Sequence, residues 1–203
     1  MSHAPLHLAP ERIHAWEGGF EQKIATGVSV GATFFHNQMS DFIAYAEIPG
    51  GELTYQNLQQ ATSTGVELSL NTRLRNGILA TASYSYQAAE DTTTHTRLVG
   101  SAAQVVKGNI SGPLFRTGLT GGLEVQYLGA RPTLAGHQTP GYASLNASLL
   151  RKNLAGRVDL SASAYNLLNS AIYDPGAEQH IEDLLRQDGR SFRLQLTLRL
   201  GAR

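Results

Sequence analysis

The sequence predicts an all-β fold, an antiparallel meander of about nine long strands that forms part of a transmembrane β-barrel. Apolar and polar residues alternate with a period of two in many segments, most clearly from Phe192 to Leu200. That run is about as long as a tilted strand needs to be to cross a bilayer. The connectors between segments are alternately short and long, which is typical of barrels whose tight turns all lie on one side of the membrane.

The N-terminal half contains four predicted strands after a short segment over residues 1–10. The first strand alternates less cleanly than the other three, in which every second residue is apolar. Asn76-Gly77 lies between the third and fourth strands and is a strong signal for a tight hairpin turn. These strands span 11–23, 28–45, 53–74 and 77–90, with apolar series from Val28 to Phe34, Val66 to Leu70 and Ile78 to Tyr86.

The C-terminal half contains the other five strands, and the predicted barrel portion therefore covers residues 11–200. The first of the five is less regular, whereas the last four alternate clearly and predict sheets with one apolar face. They span 98–112, 118–131, 141–152, 157–169 and 190–200, with apolar series from Leu119 to Tyr127, Ala143 to Leu149, Val158 to Ala164 and Phe192 to Leu200.

The connectors predict two different ends of the sheet. Short connectors suit tight turns, and long ones suit loops that carry recognition. Aromatic residues on the apolar faces are expected toward the long-loop ends, where a membrane girdle would lie. The short connectors are 24–27, 75–76, 113–117 and 153–156, the long ones are 46–52, 91–97, 132–140 and 170–189, and the aromatic residues are Phe34, Tyr84, Tyr86, Tyr127 and Phe192.

Composition excludes several other classes of protein. The 203 residues include 16 basic and 16 acidic ones, so the net charge gives no reason to expect a nucleic-acid partner. The chain has no cysteine, which excludes disulfides, cysteine-ligated metals and a cysteine nucleophile. No apolar run approaches the ~18 residues of a spanning helix. Residues 1–10 lack the basic and apolar stretches of a signal peptide.

Histidines and one acidic cluster are the candidates for metal or ligand contact. His3 and His7 are four residues apart but flank Pro5 in a segment that looks disordered, while His95, His137 and His180 lie in long connectors. Such loops can converge over a barrel mouth and contact a metal chelate or haem, although histidine is also ordinary in polar loops. We therefore predict no catalytic, cofactor-binding or metal residue, and no cofactor.

The acidic cluster consists of Glu178, His180, Glu182 and Asp183 in the last long connector. Oxygen ligands of this kind bind calcium, but the spacing matches no calcium loop, which favours a solvated loop or a short helix. Charged residues on the polar faces are expected to form ion pairs inside a barrel, and these residues are Glu67, Arg73, Glu124, Asp159, Arg193 and Arg199.

Several short motifs resemble those of the TonB-dependent outer-membrane receptors, in the C-terminal part of their barrel. Each is weak alone, but their order and spacing over roughly residues 8–200 resemble the family closely. The motifs are Leu8-Ala9-Pro10-Glu11 with Glu17-Gly18, Tyr55-Gln56-Asn57, Thr64-Gly65-Val66-Glu67-Leu68, Tyr84-Ser85-Tyr86 with Ala89-Glu90-Asp91, Tyr165-Asn166-Leu167-Leu168-Asn169, Tyr173-Asp174-Pro175-Gly176 and Gln187-Asp188-Gly189-Arg190-Ser191-Phe192.

The resemblance implies a 22-stranded barrel around a plug domain, in the outer membrane of a Gram-negative bacterium. It implies uptake of a scarce nutrient such as an iron–siderophore, haem or cobalamin. The partners it implies are outer-membrane lipid, the plug, an inner-membrane energy-coupling protein, a small chelate ligand and the barrel-assembly machinery. The chain departs from the family pattern. We recognise no plug or coupling box, and Leu200 stands where the family usually ends on an aromatic residue. A receptor fragment that does not transport alone is therefore expected.

Two other classes of function remain open at this level. One is a small structural or binding barrel, such as a porin or an adhesin, and the other is an outer-membrane barrel enzyme. An enzyme is disfavoured because the chain has no nucleophile elbow, phosphate loop or dinucleotide fingerprint. We therefore predict that the protein is not an enzyme.

Overall fold

One nine-stranded antiparallel sheet, with two small hairpins beside it, makes up the computed structural model, which describes residues 8–47, 53–115, 118–177 and 179–199. The strands, in chain order, are β1 (Arg12–Ala25), β2 (Val28–Glu47), β3 (Leu53–Arg73), β4 (Leu79–Asp91), β5 (Gln104–Leu114), β6 (Leu119–Leu128), β7 (Arg131–Pro132), β8 (Gln138–Thr139), β9 (Tyr142–Leu154), β10 (Val158–Tyr165), β11 (Tyr173–Pro175), β12 (Leu184–Arg186) and β13 (Ser191–Leu198). No helix with the length and hydrophobicity of a membrane span occurs in those ranges.

The large sheet is a meander, which confirms the predicted fold class. Its strands lie in the order β1-β2-β3-β4-β5-β6-β9-β10-β13, so each pairs with the next long strand of the chain. The remaining short strands pair as β7 with β8 and β11 with β12. The sheet is not closed, because β1 and β13 do not pair with each other among the described residues. Both outer strands consequently present an open edge.

The two ends of the sheet differ as predicted. Short links join β1 to β2, β3 to β4, β5 to β6 and β9 to β10, and at the opposite ends the connectors 92–103, 129–141 and 166–190 are long. The predicted long connector 46–52 is shorter than expected, since β2 runs to Glu47 and β3 begins at Leu53, and residues 48–52 lie outside the described residues. At two of the tight turns Gly27 and Gly77 have φ of 75° and 85°, a conformation that glycine adopts without strain. The β2–β3 hairpin is the longest, at 20 and 21 residues. A bilayer crossing needs only about 9–11, so this hairpin extends well beyond one.

The cross-strand register separates an apolar face from a polar face. Val66 lies opposite Phe34 and Tyr86, while its neighbour Glu67 lies opposite Thr33 and the hydroxyl of Ser85. The apolar face is exposed, with accessibilities of 73% for Trp16, 74% for Leu194 and 65% for Leu196. The buried hydrophobic residues described are three alanines, at 61, 89 and 102. An exposed apolar sheet face of this extent marks a surface that meets something other than water.

The leucines and valines expected to share that face do so. Leu145 lies opposite Val125, Leu149 lies opposite Ala162, and Leu194 lies opposite Ala162 from the other side. Leu196 and Leu198 continue the series opposite Leu160 and Val158. The shared face is therefore confirmed, and its contact with lipid remains a prediction.

The five aromatic residues of the predicted girdle also share this face. Tyr127 and Phe192 lie beside the long-connector ends of β6 and β13, as expected. Phe34 lies in the half of β2 nearer the tight turns, and Tyr84 and Tyr86 lie near the middle of β4, so the expected position toward the long-connector ends was wrong for these three. The common face is confirmed, and the girdle itself stays a prediction.

Three predicted strand boundaries were wrong, and at two of them side-chain hydrogen bonds hold the backbone outside the sheet. The strand predicted over 98–112 begins at Gln104, since the Gln87 amide donates to the Ala102 carbonyl and holds residues 98–103 as a loop. The strand predicted over 118–131 ends at Leu128, and Arg131 belongs to the β7–β8 hairpin. The strand predicted over 157–169 ends at Tyr165.

Asn166 ends that last strand. It is 5% exposed, with φ of 48°, and its side chain closes a ring with Ser170, donating to the Ser170 carbonyl and accepting from the Ser170 N–H. Its own N–H donates to the Asn146 side chain at 2.9 Å. Asn169 also has a positive φ and accepts the N–H of Arg190 at 3.1 Å. Asparagine tolerates the left-handed conformation, which explains why the strand stops inside this motif.

Replacement of Leu196 by arginine tests the assignment of the faces. A charge on a lipid-facing strand position near the bilayer midplane costs roughly 2–4 kcal/mol, so this variant should insert poorly. The matched control is Gln195→Arg, since Gln195 lies opposite Ser161 on the polar face. The measurement, made on a complete barrel that contains these strands, is the free energy of folding into liposomes in a urea titration. Equal losses of folding free energy in the two variants would show that the two faces of the sheet are misassigned.

Candidate functional site

The long-connector end of the sheet carries the most extensive network of side-chain contacts. Two connectors predicted as plain loops, 132–140 and 170–189, instead contain the hairpins β7–β8 and β11–β12. The hairpins contact each other through β8 and β11. We call the described parts of 92–103, 129–141 and 166–190 the loop platform. Its contacts link residues far apart in sequence, so no local pattern predicts them.

Arg131 joins the two hairpins. Its guanidinium Nη2 donates to the Tyr173 carbonyl and to Asp174 Oδ1, both at 2.7 Å. The Arg131 side chain is only 12% exposed, and its Nε is buried without a hydrogen-bond partner in the structure. Asp174 is 42% exposed, so the pair is only half-buried, but its loss would leave the nearly buried Arg131 charge without a partner, which is costly. Arg131 therefore fixes how the hairpins sit against each other.

Asp183 forms the second link, at the tip of the same junction. Its Oδ2 accepts from the Thr133 hydroxyl at 2.8 Å and lies 3.0 Å from His137 Nδ1, while Oδ1 accepts from the Ala135 N–H at 3.3 Å. Partial burial alone would raise the pKa of Asp183, but these hydrogen bonds and the nearby His137 charge hold it below its usual value. Asp183 is thus ionised at neutral pH and clamps the β7–β8 turn.

The third connector attaches to the same platform. The Gly100 N–H donates to the Pro132 carbonyl at 2.9 Å, which joins residues 92–103 to β7. Arg97 donates to the Ser101 carbonyl at 3.0 Å and holds the loop in shape. Asp91 begins the loop by accepting the N–H groups of Thr93 and Thr94. Three of the four long connectors are therefore one hydrogen-bonded unit.

The β2–β3 end is tied to the start of the described chain by Asn57. Its side chain accepts the Ala9 N–H at 2.7 Å and donates to the Ala9 and Asp41 carbonyls. Asp41 has φ of 61° at an irregularity in the β2–β3 register. Two of the sequence motifs, around residues 8–11 and 55–57, are thus in direct contact.

The polar face beneath the platform bears the charged residues expected there. Asp159 forms an ion pair with Arg199, as predicted. Glu124 instead accepts from the Asn146 amide at 3.0 Å, and Glu67 accepts from the Ser85 hydroxyl at 3.4 Å. Within the described ranges, Arg73 and Arg193 form no ion pair. The expected ion pairing is therefore confirmed for two of the six charged residues, Asp159 and Arg199. Glu67 and Glu124 form hydrogen bonds with uncharged side chains instead.

The described histidines of the long connectors lie apart from one another. His137 pairs with Asp183, His180 interacts with the Ala177 N–H, and His95 bonds back to Asp91 in a separate turn. No group of three or more histidine, cysteine or acidic residues able to hold a metal occurs in the part of the chain that the structure describes. His3, His7 and Glu178 lie outside the described residues.

A groove of about 440 Å³ opens between the tips of the two hairpins. Leu134 and Ile181, on opposite walls, are 51% and 105% exposed, and His180 and Glu182 lie beside them. The acidic cluster was predicted to be a solvated loop or short helix. Its described members lie in the loop between β11 and β12, where His180 and Glu182 are exposed, as predicted for a solvated loop, and Asp183 is bonded across to the neighbouring hairpin.

Sequence reasoning missed Arg131, Thr133 and Asp174 as platform residues. A two-residue strand such as β7 is too short to show a period of two. The available signal was the Asp174-Pro175-Gly176 turn sequence, which is typical of a tight turn within a connector.

Comparison with known proteins identifies relatives of this architecture. The family described as "TonB dependent receptor-like, beta-barrel" matches residues 4–167. The siderophore receptor PiuA from Acinetobacter baumannii is 18% identical, with a TM-score of 0.75 over 92% of this chain and 28% of its own. The ferric yersiniabactin uptake receptor FyuA from Yersinia pestis is 19% identical, with a TM-score of 0.75 over 93% and 30%. The ferric-catecholate import receptor Fiu from Escherichia coli K12 is 16% identical, with a TM-score of 0.74 over 94% and 28%.

Removal of the Asp183 carboxylate should release the two hairpins from each other. We expect Asp183→Ala to increase hydrogen–deuterium exchange in residues 131–139 several-fold, whereas Asp188→Ala, at an exposed position of the same connector, should not. Folding lowers the pKa of Asp183, so the stabilisation that its ionised carboxylate gives the folded state is fully present above the usual aspartate pKa of about 3.9. That stabilisation is lost as the pH falls through the lowered pKa. Exchange corrected for its intrinsic pH dependence should therefore stay constant between pH 7 and pH 5.

Proposed function

This chain belongs to the TonB-dependent receptor-like β-barrel family, and we propose that it forms part of an outer-membrane receptor that imports a scarce nutrient. Members of the family are transporters of the outer membrane of Gram-negative bacteria, not enzymes. The prediction that the chain is not an enzyme agrees with this membership. The chain spans about 28–30% of the length of the three solved structures compared above, and we propose that transport is carried out by a larger assembly.

The observation that carries the proposal is the placement of the loop platform on a two-faced sheet. The apolar face suits lipid, the polar face suits the wet interior of a barrel, and the platform lies at the end that would face outward. Variable loops held on a rigid scaffold are the usual place for ligand recognition. The ion pair of Arg131 with Asp174 and the Asp183 contacts supply that rigidity here.

We assign the ligand to the class of small chelates, with iron–siderophores ahead of haem and cobalamin. The related structures carry names that refer to siderophores, ferric catecholate and ferric yersiniabactin. The groove between the hairpins offers apolar walls at Leu134 and Ile181, together with hydrogen-bonding groups at His180 and Glu182. This mixture fits an organic chelate better than a bare metal ion, which would need several convergent ligands.

The remaining partners follow from the same assignment. Outer-membrane lipid would contact the apolar face, and the barrel-assembly machinery would insert the strands. In the complete receptor a plug domain would occupy the polar side, and an inner-membrane protein would deliver energy through it. Polar-face residues without an ion partner in the described ranges, such as Arg73 and Arg193, are the ones we expect the plug to contact.

Exchange of the long connectors tests where selectivity resides. We expect replacement of 46–52, 91–97, 132–140 and 170–189 with those of a receptor of different specificity to transfer the ligand preference. Replacement of the tight turns at 24–27 and 153–156 is the matched control and should leave the preference unchanged. Uptake of radioactive iron from two chelates measures the outcome. Unaltered selectivity after the long-connector exchange would contradict the proposal.

The 203-residue chain alone should not transport. Unpaired backbone groups cost several kcal/mol each in hydrocarbon, and the open sheet leaves such groups along β1 and β13. We therefore expect the purified chain in liposomes to show leakage or no insertion. The measurement is uptake of an iron chelate or cobalamin with and without an energy source. Energy-dependent accumulation by the isolated chain would refute this expectation.

A further inference from the structure

The apolar face contains two shallow grooves on either side of Leu149, one that reaches the tight turns and one that reaches Phe192 at the start of β13. One groove, of about 510 Å³, lies over β5 and β6, and the other, of about 420 Å³, lies over β10 and β13. Both are lined by Ala147 and Leu149 of β9. Leu149 is 46% exposed and therefore forms a ridge between them.

Small residues on both sides of the ridge create these grooves. Leu149 lies opposite Gly121 on one side and Ala162 on the other. Gly112 continues the same cross-strand row opposite Gly121. A Cβ atom added at Gly121 would lie 2.7 Å from Leu114 Cδ1, so a larger residue would push that wall of the groove outward. Small residues at these positions therefore leave two depressions in the sheet surface, in which two extended apolar chains could lie side by side.

A basic side chain stands at the tight-turn end of the ridge. Arg151 follows Leu149 by two positions on the same face of β9, opposite Leu119 and Leu160. Two residues along a strand span about 6.6 Å. Arg151 is partly exposed, and in the described part of the chain it forms no ion pair. An arginine among leucines needs a polar or anionic partner, because an unpaired charge in an apolar setting is costly.

The whole tight-turn end is basic, which identifies the partner's charge. The acidic side chains described there are Glu21 and Asp159, and Asp159 is already paired with Arg199. Of the basic side chains at that end, Lys23, Arg73 and Arg199 lie on the polar face, away from lipid. Arg151 lies on the apolar face, and Arg75 and Arg157 lie in the tight turns, where the described residues include no acidic side chain. The apolar side of this end thus offers positive charge at the level where lipid headgroups meet the turns.

We propose that this surface is a binding site for one anionic glycerophospholipid, with an acyl chain in each groove astride Leu149 and the phosphate at Arg151. The inference rests on the proposed function only in requiring that the apolar face meets lipid. A two-chain lipid matches the paired grooves, and a negative headgroup matches the basic end. Guanidinium groups bind phosphate oxygens in bidentate fashion, which favours Arg151 as the anchor.

Lipid retention by the purified full-length receptor tests this site. Native mass spectrometry would count the bound molecules of dioleoylphosphatidylglycerol, which is anionic, and dioleoylphosphatidylethanolamine, offered at equal concentrations. The anionic lipid should be retained about fivefold more, which is the preference that one basic side chain at a membrane surface predicts. Arg151→Gln should abolish the preference, whereas Arg75→Gln, in a neighbouring turn, should keep it. Ala162→Phe should reduce retention of both lipids by filling one groove, and Ala82→Phe, elsewhere on the same face, should not.

The outcomes separate this inference from the proposed function. Correct folding of each variant is checked by heat-modifiable mobility in electrophoresis, and function is checked by iron-chelate uptake. Equal retention of both lipids by a receptor that folds and transports would overturn the lipid site alone. An equal loss of preference in Arg75→Gln and Arg151→Gln would also overturn it, by indicating a diffuse basic surface. Failure of the receptor to insert in membranes would overturn both proposals.

Discussion

Cross-strand pairing of the backbone is the constraint on which the rest of this structure depends. Each long strand between the two outer ones pairs its N–H and C=O groups with both neighbours, and the register of these bonds decides which side chains share a face. A slip of one residue in β13 would move Leu194 and Leu196 to the polar side and Arg193 and Gln195 to the apolar side. The two-faced character of the sheet, and with it every functional assignment, follows from that register.

The fold was largely predictable because its signal repeats. Alternation in β4 and β13 is visible without any knowledge of partners, and glycine-containing sequences such as Asn76-Gly77 fix the turns. The errors arose where a side chain outweighs the alternation. At Asn166 the hydrogen bonds with Ser170 stop a strand whose apolar pattern continues, and only the three-dimensional contacts reveal them.

The loop platform was much less predictable, since its contacts join residues separated by long stretches of chain. Arg131 and Asp174 are 43 residues apart, and Thr133 and Asp183 are 50 apart. Arg131 and Thr133 do not stand out locally, because arginine and threonine are ordinary in polar segments, and the motif and cluster that contain Asp174 and Asp183 do not indicate these partners. Histidine and acidic clusters drew attention in the sequence for their metal chemistry. In the structure His137 and Asp183 instead hold two hairpins together.

The small β11–β12 hairpin also bears on how the last strand finds its place. Most long strands are separated by a short link, so bringing them together costs little chain entropy, whereas β10 and β13 are separated by residues 166–190. The hairpin folds much of that segment upon itself, and the hydrogen bond from the Arg190 N–H to Asn169 brings its two ends together. A connector that closes locally in this way shortens the effective separation of β10 and β13. During assembly, β13 then docks faster onto the exposed edge of β10. Fast docking leaves less time for that edge to pair with another molecule, so the connector reduces the risk of aggregation.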